Sequence, residues 1–517
     1  MADDDGFQTV TSKKRYSGGR GGYSSLAERL VNACAPDLFV VPEGLAGLVR
    51  DNRAEIESKL RDLGDDLIPA SATRRVMVLL EAIASLSVSQ REREIVCVAL
   101  SVPNPDHYII WVTANGPNSK IAPIIDHLDS LFGLLKNIRK RIVSKGQLRD
   151  TTPEEADTED FLVGHIYQLC YTFSRERLKK HMDKPRARKM LVAIRNLIAF
   201  PKNHGLSENQ LQFLKGLDDL FRKYEVYEKG HDDPQMVQLY AFAMIKQCAM
   251  VNASQKRLPR QDVSWLDNLL ELAGGADSDG KMYQRMLDKM LTLDSSIERL
   301  LLLPSSGSFG RILDEGVTLE FRPVPRVTAN LNYNFETDHE LQKLMSDGKP
   351  IQFSDFVAKM KTLKSKPSNL PVISKSNPRI DVHAECVMVS HIDQLEGMRT
   401  FGFICPSKLC CLGCAMVVKM RNSLEGVPDS KKVYVRGTHF KQYMWVAPPV
   451  GMPRRDELLS LIEAEMKNVF RNLRPHTKQR RTSESSAASL SDHKVKKNWD
   501  IIIDEIKKLP PVPSPNV

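Results

Sequence analysis

Long apolar runs are missing from this sequence of 517 residues. A helix that crosses a bilayer needs about 20 consecutive apolar residues, and no stretch of the chain offers them. The first residues, Met-Ala-Asp-Asp-Asp-Gly, also lack the basic segment and the apolar run of a secretory signal. We therefore expect a protein that is not secreted, does not bind membranes, and works inside the cell, in the cytoplasm or the nucleus.

Cysteine is scarce over most of the chain, which argues against a framework of disulfides. Four of the nine cysteines are scattered through apolar stretches of the first half, as is typical of reduced core residues. The other five are crowded between positions 386 and 414, and crowding of this kind in an intracellular chain indicates a metal site or catalysis. These five are Cys386, Cys405, Cys410, Cys411 and Cys414.

A repeat of fixed period is also missing, which argues against a solenoid. Apolar residues make up 42% of the chain and charged residues 27%, as in an ordinary globular protein. Because the chain is too long for one core of the usual size, we expect two or three folded regions. The net charge of +10 suits a partner that carries phosphates, but it is equally compatible with solubility alone.

Composition divides the chain into four parts, and the predicted fold class is α+β overall. Residues 1–25 form a Gly- and Arg-rich tail with too few apolar residues to become ordered. Residues 26–303 carry helical patterns, which predicts an irregular all-α domain. Residues 304–475 mix strand and helix patterns and form the second predicted domain. Residues 476–517 form a basic, Ser- and Pro-rich tail.

Helices in the first predicted domain are marked by periodicity and by capping signals. Apolar residues recur every three or four positions from Ile121 to Ile142, which predicts a long helix that ends near Gly146. Capping boxes at Thr152 and Ser207 predict two further helix starts. Basic groups on these helices suit phosphate contact or a solvated face. Other helices are predicted near 160–180, 186–200, 208–227, 235–252, 261–273 and 280–303.

The second predicted domain alternates between strand and helix patterns. Its strands are predicted at 317–321, 400–404 and 432–437. Its helices are predicted at 353–363, 382–395, 412–422 and 457–473. The helices at 382–395 and 412–422 each begin at residues with metal-binding side chains.

A candidate zinc site lies at those two helix starts. His383 and Glu385 are followed, 26 positions after Glu385, by Cys411 and Cys414. One imidazole and two thiolates can hold Zn²⁺ while its fourth tetrahedral position stays open to water, and a nearby carboxylate can carry protons. Cys411 is preferred because C-x-x-C at a helix start points both sulfurs at one ion. Cys410 remains an alternative to Cys411, and Cys386 and Cys405 are close enough in sequence to compete.

The residues around this site resemble a known family. Segments 381–386 and 403–414 are similar to the cytidine deaminase-like superfamily, whose signature is H-x-E with P-C-x-x-C. The run Ser-Lys-Leu-Cys-Cys-Leu-Gly-Cys resembles the S-K-x-x-C-x-x-C motif of its toxin-related, largely fungal group. Pro406 departs from the common pattern, in which the proline immediately precedes the first zinc cysteine. The resemblance covers about residues 370–475.

The resemblance implies both a fold and a reaction. The fold is an α/β/α domain with a mixed sheet. The reaction is the Zn²⁺-dependent hydrolysis of an amidine C–N bond in cytosine or adenine, carried by a nucleotide, DNA or RNA. The implied metal ligands are His383, Cys411 and Cys414, and Glu385 is the implied proton carrier. The implied substrate contacts are Ser407, Lys408 and His439. Trp445 is a further candidate because an aromatic ring can stack on a base, but it could equally be a residue that caps the core.

Two other functions stay open at this point. The chain could be an inactive deaminase-fold zinc protein that serves as a scaffold for nucleic acid or protein, with its helical part as the interaction surface. Glu385 argues against that reading, since a structural zinc site needs no carboxylate there. Alternatively, tails and basic helices could make it a nucleic-acid-binding protein whose salt-dependent binding survives loss of the zinc ligands.

Overall fold

The architecture comes from a computed structural model of the chain. It describes residues 25–33, 53–62, 68, 70–90, 94–116, 120–147, 153–228, 234–257, 283–307, 309–330, 338–346, 379–395, 397–438, 445–449 and 451–471. Both predicted tails except Ser25, the predicted helices at 261–273 and 353–363, and His439 lie outside the described residues.

Strands and helices are interspersed along the chain. The helices before residue 304 are α1 (Leu26–Ala33), α2 (Arg53–Asp62), α3 (Thr73–Leu86), α4 (Ile121–Gln147), α5 (Pro153–Phe173), α6 (Arg175–Met182), α7 (Pro185–Ala199), α8 (Glu208–Glu228), α9 (Pro234–Arg257) and α10 (Tyr283–Leu301). Those after it are α11 (His339–Ser346), α12 (Ala384–Gln394), α13 (Leu412–Asn422) and α14 (Arg455–Arg471). The strands are β1 (Ile95–Asn104), β2 (His107–Asn115), β3 (Thr318–Pro323), β4 (Thr328–Asn330), β5 (Arg379–Asp381) and β6 (Cys405–Pro406).

The main sheet is mixed and has the strand order β3-β2-β1-β6. β1 pairs antiparallel with β2 and with β6, while β2 pairs parallel with β3. Beside β6, the predicted strand at 432–437 reaches the sheet through isolated parallel bridges, Phe403 to Tyr434 and Cys410 to Thr438. β4 and β5 form a separate antiparallel pair. The predicted α+β class with a mixed sheet is thus confirmed.

Helices cover both faces of the main sheet. On β1, Val96, Val98 and Leu100 face one apolar cluster, while Cys97 and Ala99 face the other, as the period of two in a strand requires. The first face packs against α3, and α4 packs against β2 and β3. The second face packs against α12. The result is an α/β/α sandwich, with the candidate zinc residues on the α12 side.

The hairpin β1–β2 corrects the prediction of helix throughout 26–303, which is wrong for residues 95–115. Both faces of these strands are buried, so they read as nearly continuous apolar runs without the alternation that marks a half-exposed strand. The hairpin lies before the predicted domain boundary near 303, and β3 and β6 lie after it. The sheet therefore crosses that boundary, and the division into domains stays a prediction.

The first helix also contacts the C-terminal part of the chain. α1 packs against α14, and the buried Asn32 side chain bonds both main-chain groups of Trp445. Its Nδ2 donates to the Trp445 oxygen at 2.7 Å, and its Oδ1 accepts from the Trp445 nitrogen at 2.9 Å. Arg29 forms a buried ion pair with Asp338 at 2.6 Å. Residues at both ends of the described chain therefore support the same side of the sheet.

Several predicted helices are confirmed closely. The long helix from Ile121 ends at Gln147, and the helix predicted at 412–422 has those bounds. The Ser207 capping box is formed, with Gln210 N donating to Ser207 Oγ at 3.3 Å and Ser207 N to Gln210 Oε1 at 2.9 Å. Among the described residues, no helix combines the length and apolar character that a membrane span requires.

Candidate metal centre

Two helix N-termini meet at the candidate metal centre. His383 is the N-cap of α12, with φ −60° and ψ 142°, and Glu385 lies in the first turn of that helix. Residues two apart do not share a helix face, so the extended backbone at His383 is what allows both side chains to reach one place. The spacing of His383 and Glu385 therefore requires an irregular helix entry, and the structure has one at His383.

The second helix contributes the sulfurs. Cys411 is the N-cap of α13, and its Sγ accepts a hydrogen bond from the Cys414 nitrogen at 3.5 Å. The preceding residue is held by the sheet edge, because Cys410 N donates to Gly437 O at 3.1 Å and Thr438 Oγ1 donates to Cys410 O at 2.7 Å. A capped helix and a bonded entry loop together fix where both thiols point.

The three potential ligands form a buried triangle. His383 Nδ1 lies 3.3 Å from both Cys411 Sγ and Cys414 Sγ, and the two sulfurs are 3.5 Å apart. With Zn–S bonds of about 2.3 Å and Zn–N bonds of about 2.0–2.1 Å, a tetrahedral ion needs ligand separations of about 3.5–3.8 Å. The observed separations are slightly shorter than these values, so His383, Cys411 and Cys414 could hold a metal ion after a small outward movement of the three ligand atoms.

Without a metal ion, charge within the triangle favours a thiolate at Cys411 paired with a protonated His383, and a metal ion would bind in place of that proton. Burial alone would lower the pKa of His383, but the neighbouring Cys411 and Glu385 outweigh burial and raise this pKa to about 10. Burial would raise the pKa of Cys411, yet the hydrogen bond from Cys414 and the charge of His383 bring it well below its usual range. Cys411 is thus disposed to be a thiolate, the form that binds metals.

Glu385 lies directly beside the triangle. Its side chain is 2% exposed, and its Oε2 lies 3.6 Å from Cys414 Sγ. Burial raises the pKa of this carboxyl group, and the charge of His383 opposes that rise. A carboxyl group with a raised pKa takes up a proton more readily than an ordinary one, which suits it to proton transfer.

Other cysteines surround the triangle without completing it. Cys386 Sγ lies 3.6 Å from Cys414 Sγ, but the set of potential ligands found in the described part of the chain does not include it. Cys410, the alternative to Cys411, also lies outside that set, and burial raises its pKa well above the usual value. Cys405 lies in β6 and belongs to the opposite apolar cluster. The geometry favours Cys411 over Cys410.

The predicted substrate residues Ser407 and Lys408 are bonded to the edge of β1. Ser407 N donates to Val96 O at 2.7 Å, and Val96 N donates to Ser407 Oγ at 3.1 Å. Lys408 Nζ donates to the main-chain oxygen of Glu94 at 2.9 Å. Desolvation, followed by nearby positive charges, lowers the pKa of Lys408 to about 8, although the residue as a whole is exposed.

Trp445, predicted to contact substrate, is fully buried. Its ring lies against Gly413, between the two cysteines of the C-x-x-C turn. Within the described residues, its Nε1 is buried without a hydrogen-bond partner. Neither the contact between this ring and Gly413 nor the bonds between Asn32 and the Trp445 main chain were predicted, because contacts between distant segments leave no local pattern.

The comparison with protein families agrees with this geometry. Residues 382–449 match the model of a family described as OTT_1508_deam:-like deaminase. Comparisons with curated proteins and with solved structures give no match. The family match includes His383, Glu385, Cys411, Cys414 and Trp445, whereas the hairpin beneath them lies far outside it. This part of the chain is deaminase-like, and it contains a cluster that could hold a metal ion.

Proposed function

We propose that the protein is a zinc-dependent hydrolytic deaminase that acts on cytosine or adenine in a nucleotide or nucleic acid. The observation that carries this proposal is the position of Glu385. Its Oε2 lies 3.6 Å from Cys414 Sγ, at the edge of a triangle that could hold a metal ion. The deaminase-like match over 382–449 supports the same reaction class.

His383 Nδ1 and the sulfurs of Cys411 and Cys414 are the groups that would hold the zinc ion. Zinc bound by three protein ligands supplies an acidified water molecule at neutral pH. A fourth thiolate would occupy the open position, and Cys386 lies outside the ligand set. The arrangement therefore suits a catalytic rather than a closed structural site.

Glu385 would move the protons of the reaction. Its carboxylate accepts a proton from the attacking water as the new C–O bond forms at the amidine carbon. It gives this proton to the ring nitrogen, then takes the second proton from the newly added hydroxyl group and gives it to the departing amine. The C–N bond breaks, ammonia leaves, and the base keeps a carbonyl oxygen from water. Because Glu385 is only 2% exposed, bulk water has little access to its carboxyl group, and its protons would pass to the substrate.

Replacing Glu385 with Gln tests this role. The amide keeps the size and polarity of the side chain but cannot carry protons, so we expect one zinc ion per chain to remain and deamination to fall by about 10²–10⁴-fold. Metal analysis measures the zinc. Mass spectrometry of nucleosides, nucleotides and oligonucleotides measures conversion of cytosine to uracil or of adenine to hypoxanthine.

The exposed Glu425 provides the matched control. Glu425→Gln makes the same chemical change away from the triangle and should leave turnover unchanged. If the parent chain binds zinc but converts no base in any of these substrates, the inactive scaffold is the better reading. Full turnover in Glu385→Gln would exclude the proposed mechanism.

A further inference from the structure

A strongly basic segment lies outside the family match. Residues 175–189 read Arg-Glu-Arg-Leu-Lys-Lys-His-Met-Asp-Lys-Pro-Arg-Ala-Arg-Lys, with eight Lys or Arg residues against two acidic ones. They form α6 and the first turns of α7, joined by a short turn at Asp183 and Lys184. The positive charge is therefore concentrated on two adjacent helices.

The segment is held against the end of α3 and the loop that leads from it into β1. Ser174 Oγ, at the start of α6, donates to Val88 O at 3.1 Å, and Arg177 Nη1 donates to the main chain and side chain of Ser85. Lys408, three residues before Cys411, donates to Glu94 O in the same loop. The basic segment and the residues that lead into the metal centre are thus both bonded to the stretch of chain just before β1.

Charged groups on the two sides of this loop interact electrostatically. Desolvation and then the positive charges of Lys184, Arg177, Lys289 and Lys180 lower the pKa of His181 to about 3. Lys180 and Arg177 also act on Lys408, and so does Glu385, which raises the Lys408 pKa from the other side. Lys408 therefore lies within electrostatic range of both the basic segment and the carboxylate of the candidate site. Glu94 is the acidic group that faces both Arg177 and Lys408.

We propose that residues 175–189 and Lys408 form a phosphate-binding surface that holds single-stranded nucleic acid while one of its bases enters the metal centre. This inference rests on the proposed function, and it names the substrate as a polymer instead of a free nucleoside. A row of phosphates matches a surface of dense positive charge, because binding releases the counterions condensed on the strand.

Burial of the metal centre favours a single strand over a duplex. Glu385, Cys411 and Cys414 are at most 3% exposed, so the target base must leave its neighbours and enter the protein. Unstacking and unpairing a base costs a few kcal/mol in a duplex and less in a single strand. The basic surface would keep the backbone outside while the base is inserted.

The test uses the full chain with Glu385→Gln, so that bound strands are not converted. The surface variant replaces Lys180, Arg188 and Lys189 with Gln, and the matched control replaces Lys140, Lys202 and Lys215, which lie outside 175–189. Fluorescence anisotropy with single-stranded and duplex oligonucleotides is measured over a range of salt concentrations. We expect the surface variant to bind single strands at least tenfold more weakly. Its salt slope should be lower by about 2, because each phosphate that is no longer neutralised lowers the slope by about 0.7.

The control should bind within about twofold of its parent, as expected when net charge alone changes. The proposal would be overturned if both variants lost affinity equally or if the surface variant lost none. It would also be overturned if the surface bound duplex more tightly than single strands. If the triple variant fails to fold, the exposed pair Arg188→Gln and Lys189→Gln tests the same surface with a smaller expected loss.

Measuring deamination with Glu385 intact tests the binding surface and the proposed deaminase function independently. Deamination of free nucleosides should be equal in the surface variant and the parent, while deamination of oligonucleotides should fall. If free nucleosides are converted and oligonucleotides are neither bound nor converted, the proposed function stands and the surface proposal fails. If oligonucleotides bind through the surface but no base is converted, the binding surface stands and the proposed deaminase function fails.

Discussion

The ring of Trp445 lies against Gly413 so closely that no larger residue fits at 413. A Cβ atom at this position would lie 2.7 Å from the Cδ1 and Cγ atoms of the ring, nearer than such atoms normally approach. Gly413 lies between Cys411 and Cys414, so the ring packs directly against the turn that carries both sulfurs. Trp445 is itself held by Asn32, and the turn is therefore supported by the first helix of the described chain.

Replacing Gly413 with Ala should disturb the metal centre. Because Trp445 is fully buried and held at its main chain, the helix turn must move, and overpacking of this kind costs about 1–3 kcal/mol. We expect a lower melting temperature and less than one zinc ion per chain, measured by thermal unfolding and metal analysis. The control is Gly133→Ala on α4, where a Cβ atom meets nothing within 4 Å. This change should leave the zinc content intact, and an equal loss in both variants would contradict the prediction.

Cys386→Ser distinguishes an open metal site from a closed one. Cys386 Sγ lies 3.6 Å from Cys414 Sγ but outside the set of potential ligands, so we expect the variant to keep one zinc ion per chain. Cys414→Ser removes a ligand and should lose most of the zinc. Metal analysis after dialysis against a chelator compares the two. Equal zinc loss in both variants would indicate four protein ligands and would exclude an open position for water.

Residues 304–475 should not fold when expressed alone. They lack β1 and β2, and β6 pairs with β1 while β3 pairs with β2. They also lack Asn32, which bonds the main chain of Trp445. We expect the fragment to show no cooperative thermal transition and to bind no zinc, whereas residues 25–475 should do both. Calorimetry and metal analysis decide between these outcomes, and a folded 304–475 fragment that binds zinc would contradict the structure.

Acidification should destabilise the fold through His127. This side chain stacks on Phe173 with ring centroids 4.0 Å apart, and desolvation lowers its pKa to about 3. Between that value and the pKa of about 6.5 in an unfolded chain, the unfolded state binds a proton that the folded state does not, so stability falls as the pH drops. The loss at pH 5 is about 2 kcal/mol from this group.

His127→Phe keeps an aromatic ring against Phe173 and removes the proton site. The melting temperature of the variant should fall less than that of the parent between pH 7.5 and pH 5, and thermal unfolding at several pH values measures the difference. A parallel decrease in parent and variant would show that other groups cause the acid sensitivity.

Sequence patterns predicted the parts of the site that depend on local chemistry. α13 begins at Cys411 because C-x-x-C and the following apolar residues form a helix start, and the structure has that helix at the predicted bounds. His383 and Glu385 were recognised from their spacing, which only an irregular helix entry could satisfy. The structure supplies that entry in the extended conformation of His383.

The features that the sequence did not predict depend on contacts between distant segments. The hairpin β1–β2 was interpreted as helix because Val96 to Val102 and Tyr108 to Ala114 are buried on both faces. A turn signal, Asn104-Pro105-Asp106, stands between the two runs and was the available clue. Neither the support of Trp445 by Asn32 nor the bond between Lys408 and Glu94 has any local signature.

The pairing of β1 with the zinc-side strand has a consequence for synthesis on the ribosome. Val96 and Ser407 bond each other across 311 positions, and at 5–20 residues per second the ribosome needs about 15–60 s to translate from one to the other. Until β3 is translated, both outer edges of the nascent hairpin lack a partner, and the β1 edge lacks one until β6 is translated. Long, apolar edges of this kind are prone to pair with other chains. The emerging helices α3 and α4 can cover a face of the hairpin but not these edges. Chaperone binding during translation should therefore concentrate between the emergence of β2 and that of β6.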